Sequence, residues 1–164
     1  MHNELLAVVD EHDRIIDRCP RSEIHALKLR HRAVHILVFN AQQQLLMQKR
    51  SMKKDLNKGL WDTSAAGHVD DGENYDTCAP RELAEELGIS ATLTPLFKLE
   101  PTADLGMEFI QVYRCRHDGP FTACPEEIDE IRWVDVPEIE TRVNQDDVTL
   151  TETFKIIWRR YRDL

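Results

Sequence analysis

Three glutamates, Glu82, Glu85 and Glu86, stand at i, i+3 and i+4 in the stretch GHVDDGENYDTCAPRELAEELGI, residues 67–89. A helix turning by about 100° per residue collects all three carboxylates in one sector. Ala79, Leu83 and Leu87 take the opposite side, with Ala84 at its edge. The spacing therefore predicts an amphipathic helix with one acidic face. Like charges so placed repel each other. A hard divalent cation removes that repulsion, because Mg²⁺ takes carboxylate and phosphate oxygens. Such a face could hold a divalent cation beside a phosphate group. A bare E-x-x-E-E also describes a solvated acidic helix face.

The flanking residues define the helix ends. Asn74 suits an N-cap and Asp76 the first turn. Gly88 suits the left-handed cap after the last turn. Pro80 falls in the helix body and deletes a backbone hydrogen bond, so a small kink or a looser first turn is expected. Arg81 and Glu73 are eight residues apart in the chain, roughly 12 Å along a straight helix. Their pairing requires Glu73 on a loop folded back onto the helix.

Written as a pattern, the stretch is Gly67, five residues, Glu73, seven residues, then Arg81-Glu82-Leu83-x-Glu85-Glu86-x-Gly88-Ile89. This resembles the complete signature of the Nudix hydrolases, which cleave diphosphates with Mg²⁺ or Mn²⁺. The resemblance implies an α/β/α sandwich with a mixed sheet between helices. It implies metal ligation by Glu82, Glu85 and Glu86, with the backbone carbonyl of Ala66 adding an oxygen. It also implies an Arg81–Glu73 pair that braces the catalytic loop. Family members often supply a further glutamate from outside the motif. Glu108, at the start of a predicted strand, is the candidate, with Glu126, Glu127 and Glu130 as competitors. The base is Glu85 or Glu108, and the sequence does not choose between them.

A second resemblance narrows the branch. His31-Arg-Ala-Val-His35-Ile-Leu-Val-Phe-Asn40, Gln48-Lys49-Arg50, Lys53-Lys54 and Gly59-Leu60-Trp61 are similar to segments of isopentenyl diphosphate isomerases, collinearly from about Leu5 to Trp133. That resemblance implies diphosphate contacts from Arg50 and Lys54; a solvated basic loop is the alternative. Trp61 either stacks on a base or packs beneath the sheet. His31, His68 and Glu108 fall at positions resembling the isomerase metal ligands; the alternative is a buried histidine and a loop histidine. The residue before Gly67-His68 is a catalytic cysteine in the isomerases and Ala66 here. An alanine cannot move a proton, so hydrolysis is expected over isomerisation. A noncatalytic nucleotide-binding module is the remaining alternative.

The elements that must position these groups alternate along 164 residues with 41% hydrophobic and 31% charged content. One domain over residues 1–164 is expected, with a hairpin extension over residues 1–30. Strands are predicted at Leu5–Val9, Arg14–Asp17, Ala33–Phe39, Gln44–Arg50, Leu60–Ser64, Thr92–Leu99, Glu108–Arg116 and Glu130–Val134. Arg21–Leu29 reads as a short helix or loop, Ser51–Gly59 as a basic loop, and Pro137–Arg142 and Thr149–Tyr161 as helices. A net charge of −9 argues against nonspecific nucleic-acid or membrane binding. The partner expected is a small nucleotide or other diphosphate, bound by a monomer or homodimer. Cys19, Cys78, Cys115 and Cys124 form no C-x-x-C pair and read as free thiols. The N-terminal stretch lacks the pattern of a secretory signal, so a cytoplasmic location is expected. His2, His12, His25 and His117 have no informative context.

Overall fold

The computed structural model describes residues 4–164; His2 and the first three positions of the 1–30 extension lie outside them. Nine strands and four helices follow in the order β1 (Leu5–Val9), β2 (Ile15–Pro20), α1 (Arg21–Leu27), β3 (His31–Phe39), β4 (Leu45–Arg50), β5 (Trp61–Asp62), β6 (Ala65–His68), α2 (Tyr75–Leu87), β7 (Thr94–Leu99), β8 (Glu108–Arg116), β9 (Ile128–Val134), α3 (Val136–Asn144) and α4 (Glu152–Arg162).

The main sheet runs β5-β4-β3-β8-β7, with β6 also along β3 and β9 also along β4. β3 and β8 are parallel and the other pairs antiparallel, so the sheet is mixed. Side chains alternate across β3. Val34, Ile36 and Val38 pack with Ala79, Leu83 and Leu87 of α2. Ala33, Leu37 and Phe39 pack with Ile139 and Val143 of α3 and Phe154, Ile157 and Trp158 of α4. Helices thus cover both faces, which is the α/β/α sandwich expected.

Most boundaries move by a few residues from the expected ones. One reading needs correction. The stretch Leu60–Ser64 is strand only at Trp61–Asp62, and a separate strand follows at Ala65–His68. Ala-Ala-Gly-His has little intrinsic strand preference; four register pairs with β3 impose the extended form. Pro80 does not loosen the first turn of α2. The helix runs through it, and Cys78 N donates to Asn74 O at 3.0 Å. Asn74 and Thr77 cap the start reciprocally, with Thr77 N to Asn74 Oδ1 at 2.9 Å and Asn74 N to Thr77 Oγ1 at 3.1 Å. Gly88 closes the end at φ 68°. All four cysteines are free, and among the described residues no helix is long and apolar enough to cross a membrane.

β1 and β2 form their own two-stranded sheet, and Leu6 and Val8 pack on Ile24 of α1. Asp13, at φ 62°, pins the tip of this hairpin to the core. Its carboxylate accepts from Arg32 Nε at 2.7 Å, Tyr75 Oη at 2.8 Å and the Lys98 ammonium. These partners lie on β3, on α2 and on β7. Removing one member of a buried ion-pair network leaves its partners desolvated and uncompensated. Asp13→Ala is expected to cost about 3 kcal/mol of stability, measured by urea unfolding. An unchanged midpoint would mean that charge does not anchor the hairpin tip.

Candidate active site

α2 turns Glu82 and Glu86 inward, at 9% and 5% exposure, and leaves Glu85 on the rim with 59% of its side chain open. β6 passes directly across them. A Cβ at Gly67 would stand 2.0 to 2.4 Å from the carboxyl atoms of Glu82, so only glycine admits that side chain. Glu86 Oε1 accepts from Ala66 N at 3.1 Å and from Gln48 Nε2 at 3.0 Å. In a strand a residue's N–H and C=O leave on the same side. The Ala66 carbonyl therefore shares the free edge of β6 with the N–H that meets Glu86.

Arg81 ties the helix to the loop before it. Its Nε and Nη2 donate to the two oxygens of Glu73 at 2.6 and 2.8 Å, a bidentate pair. Nη2 also donates to His68 O at 3.2 Å. Nη1 donates to Glu82 Oε1 at 3.0 Å and Glu85 Oε2 at 3.1 Å. The loop folds back as the pairing requires, because Glu73 N donates to Asp70 O at 3.0 Å and Asp70 N to Glu73 Oε1 at 2.9 Å.

Burial, then the Glu86 and Glu85 charges, push Glu82 up to about 8 despite Arg81. Burial pushes Glu86 up to about 7, although the Ala66 and Gln48 hydrogen bonds pull it down. Two buried carboxyls that hold protons near neutrality are groups that a hard cation would deprotonate and bridge. The donor set fits Mg²⁺ or Mn²⁺ on that ground.

The structure places Glu108 elsewhere. On β3, His31 and Ala33 face away from α2, and Glu108 and His68 lie beside them in register. Glu108 Oε2 meets His68 Nε2 at 2.9 Å and His31 Nε2 at 3.2 Å. His25 of α1 completes the group, with donor atoms of His25, His31 and His68 all within 4.8 Å of one another. His31 Nδ1 is 2.9 Å from Leu29 O, a pure acceptor, so Nδ1 carries the proton. His31 Nε2 is buried and aimed into the cluster, 3.2 Å from Glu108 Oε2 but outside good hydrogen-bond geometry. Burial opposes charge on His68, but the Glu108 and Glu4 carboxylates overcome it and lift the ring to about 9. Burial would raise Glu108, yet its two histidines hold it below the usual carboxylate range. Consecutive residues of β6 thus serve two different sites, with Gly67 against the acidic helix and His68 in the imidazole cluster.

The basic loop is less free than its composition implies. Arg50 donates to Leu56 O from Nε and Nη2 at 3.2 and 3.0 Å and lies 4.0 Å from Asp62. It shapes the loop from within. The Lys54 ammonium pairs with Glu127, and both charges act on Glu86. Lys53 pairs with Glu126 at 3.4 Å. Trp61 packs against the core on the α4 side, with the Arg132 guanidinium 6.0 Å from its ring. Of the residues expected at the substrate, only Lys54 is brought beside the acidic cluster. Two residues of these sites had no role in the sequence reading. His25 lies six positions before His31 with no pattern joining them, and Gln48 is one amide in a polar strand end.

The NUDIX domain model matches residues 29–154. An uncharacterised Nudix hydrolase of Yersinia pestis is 35% identical over 151 residues, 87% of this chain and 79% of that protein. An isopentenyl-diphosphate Delta-isomerase of Serratia proteamaculans is 32% identical over 162 residues, 96% of this chain and 90% of that one. The crystal structure of DR0079 from Deinococcus radiodurans superposes with a TM-score of 0.83 at 27% identity, covering 95% of this chain and 98% of its own. An intact acidic motif on α2 and a match over most of the chain make this protein a member of the Nudix family, in the branch that contains isopentenyl-diphosphate isomerases, whose enzymes act on diphosphate compounds with divalent metal ions.

Proposed function

We propose that the chain is a metal-dependent pyrophosphohydrolase that cleaves the diphosphate linkage of a nucleoside-diphosphate-type substrate. One observation carries the reading: Glu82 and Glu86 are buried side by side against Gly67, with Glu85 on the rim. Glu82, Glu85, Glu86 and the Ala66 carbonyl would hold Mg²⁺ or Mn²⁺. Bound there, the metal would neutralise the diphosphate and make a bound water acidic enough to attack phosphorus. Glu85 would take the proton, a reading supported by Glu108 facing its two histidines across the sheet. The Arg81–Glu73 pair holds the loop between β6 and α2. Lys54 supplies a local cation that a chain of net charge −9 needs to admit an anion.

A second divalent metal site at His25, His31 and His68, with Glu108 against two of them, is favoured by the convergence of the three histidine donor atoms within 4.8 Å. Imidazole and carboxylate donors suit Mn²⁺ or Zn²⁺. That cluster and the isomerase-named relatives favour isomerisation as the competing activity. Ala66 opposes it, because a methyl group exchanges no proton.

The function is tested by screening nucleoside di- and triphosphates, sugar-nucleotides, dinucleotides and isoprenoid diphosphates with Mg²⁺ and Mn²⁺. On the best substrate, Glu85→Gln and Glu86→Gln are each expected to lower kcat by at least about 10²-fold with the fold retained. Unchanged rates in both variants at saturating Mg²⁺ would remove these residues from the site. Isopentenyl diphosphate is expected to show no solvent-proton exchange by NMR above a buffer blank. Exchange would show that a group other than the residue at position 66 supplies the chemistry.

The metal-free chain should lose stability as pH rises above neutrality. Glu82 at about 8 and Glu86 at about 7 stand above the ordinary glutamate value of 4.5, so the folded state holds protons that the unfolded chain has lost. Their contribution is complete below the unfolded value and vanishes as pH passes the folded one. His68, raised to about 9 from 6.5, acts in the same direction. His25, lowered to about 4, acts oppositely only below pH 6.5. In EDTA, Tm should fall by about 3–8 °C between pH 6.5 and 8.5, and Mg²⁺ should raise it more at the higher pH. A Tm that rises over this range would contradict the assignment of buried, proton-holding glutamates.

A further inference from the structure

We propose that Gln48 is a positioning residue that fixes the carboxylate of Glu86 for its metal; this rests on the metal-site reading given above. Gln48 is buried on β4, 4% exposed, between β5 and β9, with Asp62 and Ile131 as its register partners. Its Nε2 donates to Ser64 O and to Glu86 Oε1, both at 3.0 Å. A backbone carbonyl and a carboxylate can only accept. The two amide protons are therefore both committed, and the amide cannot flip. Ala66 N donates to the same Glu86 oxygen at 3.1 Å.

Glu86 Oε1 thus receives two N–H donors from neighbouring strands, while Oε2 takes no hydrogen bond among the described residues. One oxygen is spent on the protein and the other is presented to the cation. The side chain of Glu86 has three rotatable bonds, and clamping one oxygen selects among their combinations before the metal arrives. The requirement is strict in residue type. Glutamate at this position could not donate to either acceptor, asparagine would be one methylene short of reaching both, and methionine keeps the length but has no donor. Partners that orient a metal ligand in this way are worth roughly 10–100-fold in metal affinity.

The test is Mn²⁺ binding, followed by electron paramagnetic resonance, to the wild-type chain, Gln48→Met, Glu86→Gln and the double variant. Gln48→Met is expected to weaken Mn²⁺ binding by about 10-fold or more. In the Glu86→Gln background the same change should weaken it no further, because the residue it acts through is gone. Melting in EDTA confirms that each variant is folded at the temperature used. Gln48→Leu, which also removes the donor, replaces Gln48→Met if the latter does not fold. Wild-type affinity in Gln48→Met would overturn the proposal. So would an equal loss in both backgrounds, since that would mark a general effect on the sheet. Wild-type affinity in Glu86→Gln would instead overturn the metal-site reading beneath it.

Discussion

Two carboxylates buried side by side are the constraint from which the rest of the site follows. Glu82 and Glu86 cannot both be charged in the interior without compensation. Their surroundings are arranged around that fact. Arg81 brings a guanidinium to Glu82 and Glu85, while Gln48 and the Ala66 N–H saturate one oxygen of Glu86. Gly67 gives up a side chain so that Glu82 can lie flat against β6. Each of these contacts is weak against the desolvation of an ion. Together they hold an acidic pocket in a shape that a divalent cation completes.

β6 makes this economical. A strand sends successive residues to opposite faces, and here four residues serve two donor sets. Gly67 clears room for the acidic helix, and His68 enters a group of three histidines and Glu108 on the other side. The loop after β6 then returns through Asp70 and Glu73 to Arg81. The sheet is therefore the partition between two ligand chemistries, one of oxygens and one mainly of imidazoles.

The acidic helix was legible in the sequence because its information is local. Cap, motif carboxylates and terminal glycine lie within fifteen residues, and helical period alone places them. The Arg81–Glu73 pair was legible only through the family pattern, since its ends are too far apart on a straight helix. β6 was not legible, because its small residues carry no strand signal and only pairing with β3 makes it one. His25 and Gln48 were missed for a related reason. Each gains its meaning from residues brought beside it by folding, His31 and His68 in one case and Glu86 and Ser64 in the other. Glu108 was found twice, as an outside glutamate for the acidic site and as a neighbour of His31 and His68, and the structure brings it to the two histidines. Its parity on β8, matched to His31 on β3, decides the face, and a sequence does not print which strands are adjacent.

The anchor at Asp13 has a consequence for the order in which the molecule is completed on the ribosome. The hairpin that carries it is made before its three holding partners, at positions 32, 75 and 98. Glu108 follows later still. The contacts within the acidic pocket span no more than about forty residues, and all of its members have been synthesised by Gly88. All side chains of the oxygen site are therefore made before the last of the Asp13 partners, Lys98. The imidazole cluster needs both α1 and β8, so its last member is made after the oxygen site's.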